Sequence, residues 1–170
     1  MLDYSSFLNK NLLAKRKKIL VGIALVFIFM QFFTIDKTNP PVEAGIDMIN
    51  VEQVPTQVEG ILRTSCYDCH TNETVYPWYT NIAPVSWWIK KHIDDGRDEL
   101  NFSEWGNYSL RRKDHKLDEI VEMVDETEMP LKSYLLAHGD ASLSSEQKTQ
   151  LVDWAKAVRE ELGYVPEEKE

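Results

Sequence analysis

Cysteine occurs at two positions of this 170-residue chain, and both lie in the run Cys66-Tyr67-Asp68-Cys69-His70. This C-x-x-C-H spacing is the attachment sequence of c-type haem. The two thiols can add to the two vinyl groups of a porphyrin as thioethers, and His70 can ligate the iron from below the ring. We therefore predict one covalent haem c, with Cys66 and Cys69 as attachment points and His70 as the proximal iron ligand.

Two other uses of the cysteine pair are open. A thiol redox motif shares the C-x-x-C core, but it leads from a strand into a helix, whereas a predicted helix comes first here. A zinc site usually needs four ligands, and the chain has no second cysteine pair. His92, His115 and His138 could contribute, but their spacing is not that of a metal site. The pattern favours haem.

A second iron ligand is predicted at Met129, which precedes Pro130 and lies 59 positions after His70. A methionine sulfur stabilises ferrous haem and raises its reduction potential. The alternative for any methionine is that it fills a gap in the core, and this is our interpretation of Met123, in the middle of a predicted helix. His92 and His138 are the rival distal ligands.

Four stretches with helical apolar periodicity would position these ligands. They cover residues 55–66, 84–98, 110–125 and 144–163. Ser144 and Gln147 have the spacing of a capping box at the start of the last helix, and Gly163 is placed to end it. A further short helical turn is predicted between residues 131 and 137. Since no strand-like alternation stands out, the predicted fold class is all-α, with a domain of about four helices.

An uncharged apolar run, residues 19–35, follows the basic cluster Lys15-Arg16-Lys17-Lys18. As a helix the run would be about 25 Å long, sufficient for a thin bilayer. Since basic residues stay on the cytoplasmic side, we predict a single-pass inner-membrane anchor with a periplasmic domain after it. A cleaved signal peptide and a buried core helix are the alternatives. The first lacks a small-residue cleavage site near the run, and the second leaves the basic cluster unexplained.

The chain is thus predicted to have five segments. In order they are a cytoplasmic basic tail (1–18), a transmembrane anchor (19–35), an extended linker (36–54), a haem-binding domain (55–163) and an acidic tail (164–170).

The distribution of charge along the chain limits which classes of partner it can bind. The formal net charge is −9, and residues 1–35 are basic while the remainder is strongly acidic. An acidic domain repels nucleic-acid phosphates, so we expect no nucleic-acid partner, and it favours a basic redox protein. One cluster of basic residues is an exception within this acidic domain. Its simplest interpretation is a helix face exposed to solvent. It contains Arg111, Arg112, Lys113 and Lys116.

Other side chains give weaker signals. At least one of four tryptophans is expected to pack against the haem, namely Trp78, Trp87, Trp88 or Trp105. Carboxylates are plentiful, but the sequence places no pair of them as an acid–base couple. It also shows no nucleophile motif and no glycine-rich phosphate loop, so we predict no catalytic residue.

The segment from Asn39 to Leu162 resembles the small haem-binding-domain family of membrane-anchored monohaem cytochrome c-like proteins, of the Bacteroidota type. Besides the C-x-x-C-H run, the resemblance rests on Ser133-Tyr134, His138, Leu143-Ser144 and the final helix, and on four longer stretches of this sequence. They are Asn39-Pro40-Pro41-Val42, Tyr76-Pro77-Trp78-Tyr79, Pro84-Val85-Ser86-Trp87 and Glu128-Met129-Pro130-Leu131. The resemblance implies a cytochrome c-like helical fold and covalent haem c, and it leaves the physiological role open.

The function expected from these features is one-electron transfer outside the cytoplasmic membrane. Two strong axial ligands would leave the iron without an open position, so the chain is expected to carry electrons rather than to convert a substrate. A haem enzyme or a gas or redox sensor with a labile distal site is the alternative. It would require Met129 to be displaced from the iron or turned away from it.

Overall fold

The computed structural model describes the backbone of residues 4–165 and the side chains of residues 12–165. Residues 1–3 of the predicted basic tail and residues 166–170 of the predicted acidic tail lie outside the described residues.

The described residues are helical and contain no strand, which confirms the predicted all-α class. Short 3₁₀ helices accompany the α-helices at Trp78–Asn81, Phe102–Asn107 and Gly139–Ala141. Within the described part of the chain the α-helices are α1 (Tyr4–Met30), α2 (Met48–Val51), α3 (Thr56–Ser65), α4 (Tyr67–His70), α5 (Val85–Glu99), α6 (Leu110–Asp125), α7 (Lys132–Leu135) and α8 (Ser145–Leu162).

The four main helices lie where the apolar periodicity predicts them, as α3, α5, α6 and α8. The start of α8 is a capping box, because the Ser144 hydroxyl accepts from the Gln147 N–H and the Gln147 side chain accepts from the Ser144 N–H. Gly163 ends the helix with a φ of 58°, in the left-handed region that glycine adopts without a steric penalty. Both ends of α8 are therefore confirmed as predicted.

The chain folds into two compact units, and a boundary between them falls within α5, after Lys91. Unit 1 contains the chain up to Lys37 together with Pro77–Lys91. Unit 2 contains Thr38–Tyr76 and the chain from His92 onward.

Unit 2 has an apolar core in which α6 and α8 pack along each other and α3 packs against α8. Arg159 of α8 pairs with Asp114 and Asp118 of α6 at the edge of this contact. The core side chains that these three helices contribute are Val58, Ile61, Leu62, Leu117, Val124, Leu151, Val152, Trp154, Ala155 and Val158.

The end of the predicted linker, residues 36–54, is packed rather than extended. Asp47 caps α2 by accepting from the Ile49 N–H, and Met48 and Ile49 are buried in the core of unit 2. Gly106 lies against this segment, because its N–H donates to the Ile46 carbonyl and a Cβ at position 106 would lie 2.8 Å from the Ile46 Cβ. A four-residue helix has too few residues to show a periodic pattern, so the sequence did not reveal it.

The basic cluster of α6 is not simply a solvated face. Lys113 is buried and donates to Glu52 at 2.9 Å, and Lys116 is buried and pairs with Glu99 and Glu119. The charges of these two lysines are therefore balanced by acidic side chains within unit 2.

In unit 1 the C-terminal end of α1 is joined to the segment Pro77–Lys91 by side-chain hydrogen bonds. The Gln31 amide both accepts from the Ala83 N–H and donates to the Ala83 carbonyl, each at 3.0 Å. The Trp87 indole N–H donates to the Phe33 carbonyl at 2.8 Å.

The predicted transmembrane anchor over residues 19–35 is not supported. Helix α1 ends at Met30, and its uncharged apolar part extends only from Ile19 to that end. This part is shorter than the roughly 20 residues that a membrane span needs. Across the described residues, no helix combines the length and the apolar character needed to cross a membrane.

We predict that Ser144→Ala lowers the free energy of unfolding by about 1 kcal/mol, because the Gln147 N–H loses its partner at the start of α8. Ser145→Ala, at the next position, which is also exposed, is the control and should change stability little. Urea unfolding followed by circular dichroism measures both. Equal effects of the two substitutions would contradict the capping role.

Candidate functional site

The C-x-x-C-H run lies in unit 2 at the end of α3 and forms α4. The Cys66 N–H donates to the Leu62 carbonyl as the last bond of α3, and the Cys66 carbonyl accepts from the N–H groups of Cys69 and His70. Because both helical turns meet at Cys66, the two cysteines and the histidine are held on one compact stretch of backbone.

Helix α5 approaches this stretch closely at Gly96. A Cβ built at Gly96 would lie 2.9 Å from the Cys69 carbonyl oxygen and 3.3 Å from the Cys69 Cβ. Only a residue without a side chain fits there. The sequence analysis missed this residue, although a lone glycine inside a helical pattern is a signal of close packing.

The His70 imidazole is fixed by two carbonyl groups from the end of α5. Its Nδ1 lies 3.0 Å from the Gly96 carbonyl oxygen and 2.9 Å from the Leu100 carbonyl oxygen. A carbonyl can only accept, so Nδ1 carries the proton and the Nε2 lone pair is left for a metal ion. Burial lowers the pKa of His70 below its ordinary value, which favours this neutral form.

Both thiols are poorly ionised. Burial raises the pKa of the Cys66 thiol to about 12, and the neighbouring Cys69 adds to the shift. Burial and then the Asp68 charge raise the pKa of Cys69 to about 11, with Arg97 opposing them. A reactive dithiol needs a lowered pKa, because the thiolate is the nucleophile, so these surroundings do not favour thiol redox chemistry.

The motif is bonded to α7, and the loop after it is bonded to α5. Arg97 donates to the Thr71 carbonyl at 2.7 Å and to the Thr74 hydroxyl at 2.8 Å. Tyr134 of α7 donates its hydroxyl to the Asp68 carboxylate at 2.7 Å. These bonds hold the backbone on both sides of Cys69, and the short motif gives no indication of them.

Two adjoining cavities open beside the motif, and Cys66, His70, Glu99 and Met129 line both of them. The larger one, about 850 Å³ including its open mouth, lies over the core of unit 2. Its remaining apolar lining consists of Leu62, Leu100, Phe102, Ile120, Met123, Val124 and Leu151. We call the two cavities together the cleft.

Met129 is presented to this cleft by the loop after α6. Its backbone N–H and that of Glu128 donate to the Met123 carbonyl, at 3.1 Å and 2.9 Å. Thr127 has a φ of 62°, so the chain turns sharply at this point. The structure thus brings Met129 and His70 to one cleft, and Met123 reaches it as well rather than serving the core alone.

The other candidate side chains are distributed differently. His92 lines the smaller cavity, about 630 Å³ with its mouth, whereas His138 stacks on the Tyr134 ring and His115 pairs with Glu119. Among the described side chains no tryptophan lines the cleft, and the expected contact of a tryptophan with the cofactor stays a prediction. Trp105 is buried in the core, and the three tryptophans of unit 1 are exposed.

Comparison with known protein families shows which family the chain belongs to. Residues 25–157, more than three quarters of the sequence, match the haem-binding domain family, and the chain belongs to that family. No curated protein and no solved structure matches it in the corresponding comparisons. Haem is therefore the cofactor that the family assigns to this chain.

The residues of the cleft fit a haem. Its walls are mostly apolar, as the faces of a porphyrin require. It also holds an imidazole nitrogen with a free lone pair and a soft thioether sulfur, two donors that iron in haem accepts.

We predict that Gly96→Ala lowers the free energy of unfolding by about 1–3 kcal/mol, because its methyl group would push α5 away from Cys69. It should also reduce haem loading, since the His70 ring is held by the same helix.

Gly60→Ala is the matched control for this substitution. Gly60 lies inside α3 with open space around it, so the change should stabilise the chain by up to about 1 kcal/mol through helix propensity. Urea unfolding and the haem-to-protein absorbance ratio measure both variants. A stabilising Gly96→Ala would contradict the proposed close packing.

Proposed function

We propose that the chain is a monohaem c-type cytochrome that transfers single electrons. The observation that carries this proposal is the cleft, which brings Cys66, Cys69, His70 and Met129 together from two distant parts of the sequence. A bound haem would supply the one-electron couple of its iron, and the side chains hold it and tune it.

In this proposal Cys66 and Cys69 hold the haem covalently. Each thiol adds across one vinyl group, its sulfur binding one carbon and its hydrogen the other, with no net oxidation. The raised pKa of each thiol keeps the unreacted cysteines in the thiol form rather than as a reactive thiolate pair. Covalent attachment retains the cofactor in a small domain with an open cleft.

We assign the iron ligands to His70 through Nε2 and to Met129 through its sulfur. The bond from Nδ1 to two carbonyls fixes the tautomer and increases the basicity of Nε2. The methionine sulfur stabilises the ferrous state. His70 and Met129 would together keep the ligand set of a bound haem iron the same in both oxidation states, which suits fast electron transfer.

A haem enzyme or sensor with a labile distal site is the second candidate. The observation in its favour is that His92 lines the same cavity as Met129. A polar group beside the distal position could assist a bound gas or peroxide if the methionine left the iron.

The location and the partner are also proposed. We propose that the apolar N-terminal segment associates with the cytoplasmic membrane and that the haem-binding unit works on its outer side. Unit 2 carries 11 Lys and Arg against 26 Asp and Glu, so a basic protein is the proposed redox partner.

The ligand assignment predicts that Met129→Ala abolishes the weak long-wavelength band of methionine-ligated ferric haem and lowers the reduction potential. The matched control is Met123→Ala, because Met123 also lines the cleft and should leave the band in place. Absorption spectra and a redox titration of the haem-loaded chain measure both. A band that survives in Met129→Ala would contradict the assignment.

Carbon monoxide separates the two candidate functions. The ferrous wild-type chain should bind it poorly, because both axial positions are filled, and Met129→Ala should bind it readily. Ready binding by the wild-type chain would favour the enzyme or sensor. The Soret shift on adding the gas is the readout.

A further inference from the structure

Three of the five tryptophans lie in the segment Pro77–Lys91 of unit 1, and all three are exposed. The exposed fractions are 74% for Trp78, 38% for Trp87 and 48% for Trp88. The other two, in unit 2, are at most 9% exposed. Large exposed apolar patches mark interaction surfaces in soluble domains. The concentration of exposed tryptophans in Pro77–Lys91 therefore indicates that this segment contacts another molecule.

This segment is attached to the end of α1 within the same unit. Gln31 forms its hydrogen-bond pair with Ala83, and Trp87 donates to the Phe33 carbonyl. Phe32 and Phe33 are themselves 79% and 53% exposed. The exposed aromatic residues of the segment and those at the end of α1 therefore belong to one unit, and we call Phe32, Phe33, Trp78, Trp87 and Trp88 the aromatic surface.

Helix α1 continues this apolar character in its part from Ile19 to Met30. The large side chains from Ile19 to Phe29 have exposed fractions of 46–64% and are apolar on all sides of the helix. A helix that is apolar all round is normally covered by an apolar environment. Four basic residues, Lys15-Arg16-Lys17-Lys18, precede this part of α1.

The charge of unit 1 indicates which kind of apolar environment covers α1 and the aromatic surface. Its sequence contains eight Lys and Arg and two Asp, whereas the rest of the chain contains 11 basic and 26 acidic residues. Within Pro77–Lys91 there are two lysines, Lys90 and Lys91, and no acidic residue. Anionic lipid headgroups attract juxtamembrane lysine and arginine, and they repel carboxylates.

We propose that the aromatic surface seats in the interfacial region of a lipid bilayer that contains anionic lipid. Tryptophan suits this zone because its ring is apolar while its N–H is polar, and it is enriched there in membrane proteins. The inference rests on the proposed membrane association of the N-terminal segment. It adds that a second stretch of chain, Pro77–Lys91, contacts lipid.

The test is hydroxyl-radical footprinting of the full-length, haem-loaded chain in lipid nanodiscs. The discs contain phosphatidylcholine with a minority of phosphatidylglycerol and hold one chain each, which excludes a second copy or another protein as the cover. Peptide mass spectrometry gives the oxidation rate of each tryptophan, normalised to its rate in the urea-unfolded chain.

Trp78 and Trp88 should be oxidised several-fold more slowly than in the unfolded chain. The control within the same sample is Leu136 of unit 2, which is 90% exposed and should stay reactive. Protection of the tryptophans without protection of Leu136 is the supporting result.

Two different results would overturn the proposal. If the chain stays with the discs but Trp78 reacts as in the unfolded chain, the aromatic surface faces water while the membrane association stands. If the chain leaves the discs on size-exclusion chromatography, the membrane association fails and this inference fails with it.

Discussion

The orientation of the His70 ring depends on two carbonyl groups of one helix end, those of Gly96 and Leu100. They hold the proton on Nδ1, so the Nε2 lone pair is available to iron. Their position in turn requires α5 to pass very close to Cys69, which the missing side chain of Gly96 permits. The ability of His70 to ligate iron through Nε2 thus depends on the close packing of α5 against the C-x-x-C-H motif.

The loop that follows α6 contributes Met129 to the lining of the cleft. Met129 is carried there by backbone bonds to the Met123 carbonyl, so its position depends on the same helix that packs along α8 in the core. The apolar lining of the cleft is continuous with that core, and Leu62, Val124 and Leu151 belong to both. A haem bound there would complete the core, and its binding to the folded state would stabilise the chain by linkage.

Local features were predictable from the sequence, and long-range ones were not. The periodicity and the caps placed α8 correctly because they act within a few residues, and the C-x-x-C-H motif is itself local. The burial of Met48 and Lys113, by contrast, depends on partners far along the chain, Lys113 pairing with Glu52. An aromatic residue in a sequence likewise does not reveal what covers it, since Trp105 is buried in the core whereas Trp78 is exposed. The predicted transmembrane anchor is not supported, because α1 ends at Met30 and no helix of the described residues is long and apolar enough to cross a membrane.

The central claim is covalent attachment of one haem through Cys66 and Cys69. Its most direct test is the intact mass of the chain, produced with a cytochrome c maturation system and measured under denaturing conditions that release non-covalent haem. The account predicts the mass of the chain plus one haem, and loss of that addition when both cysteines are replaced by alanine. A wild-type chain that carries haem in solution but shows only its own mass after denaturation would contradict it.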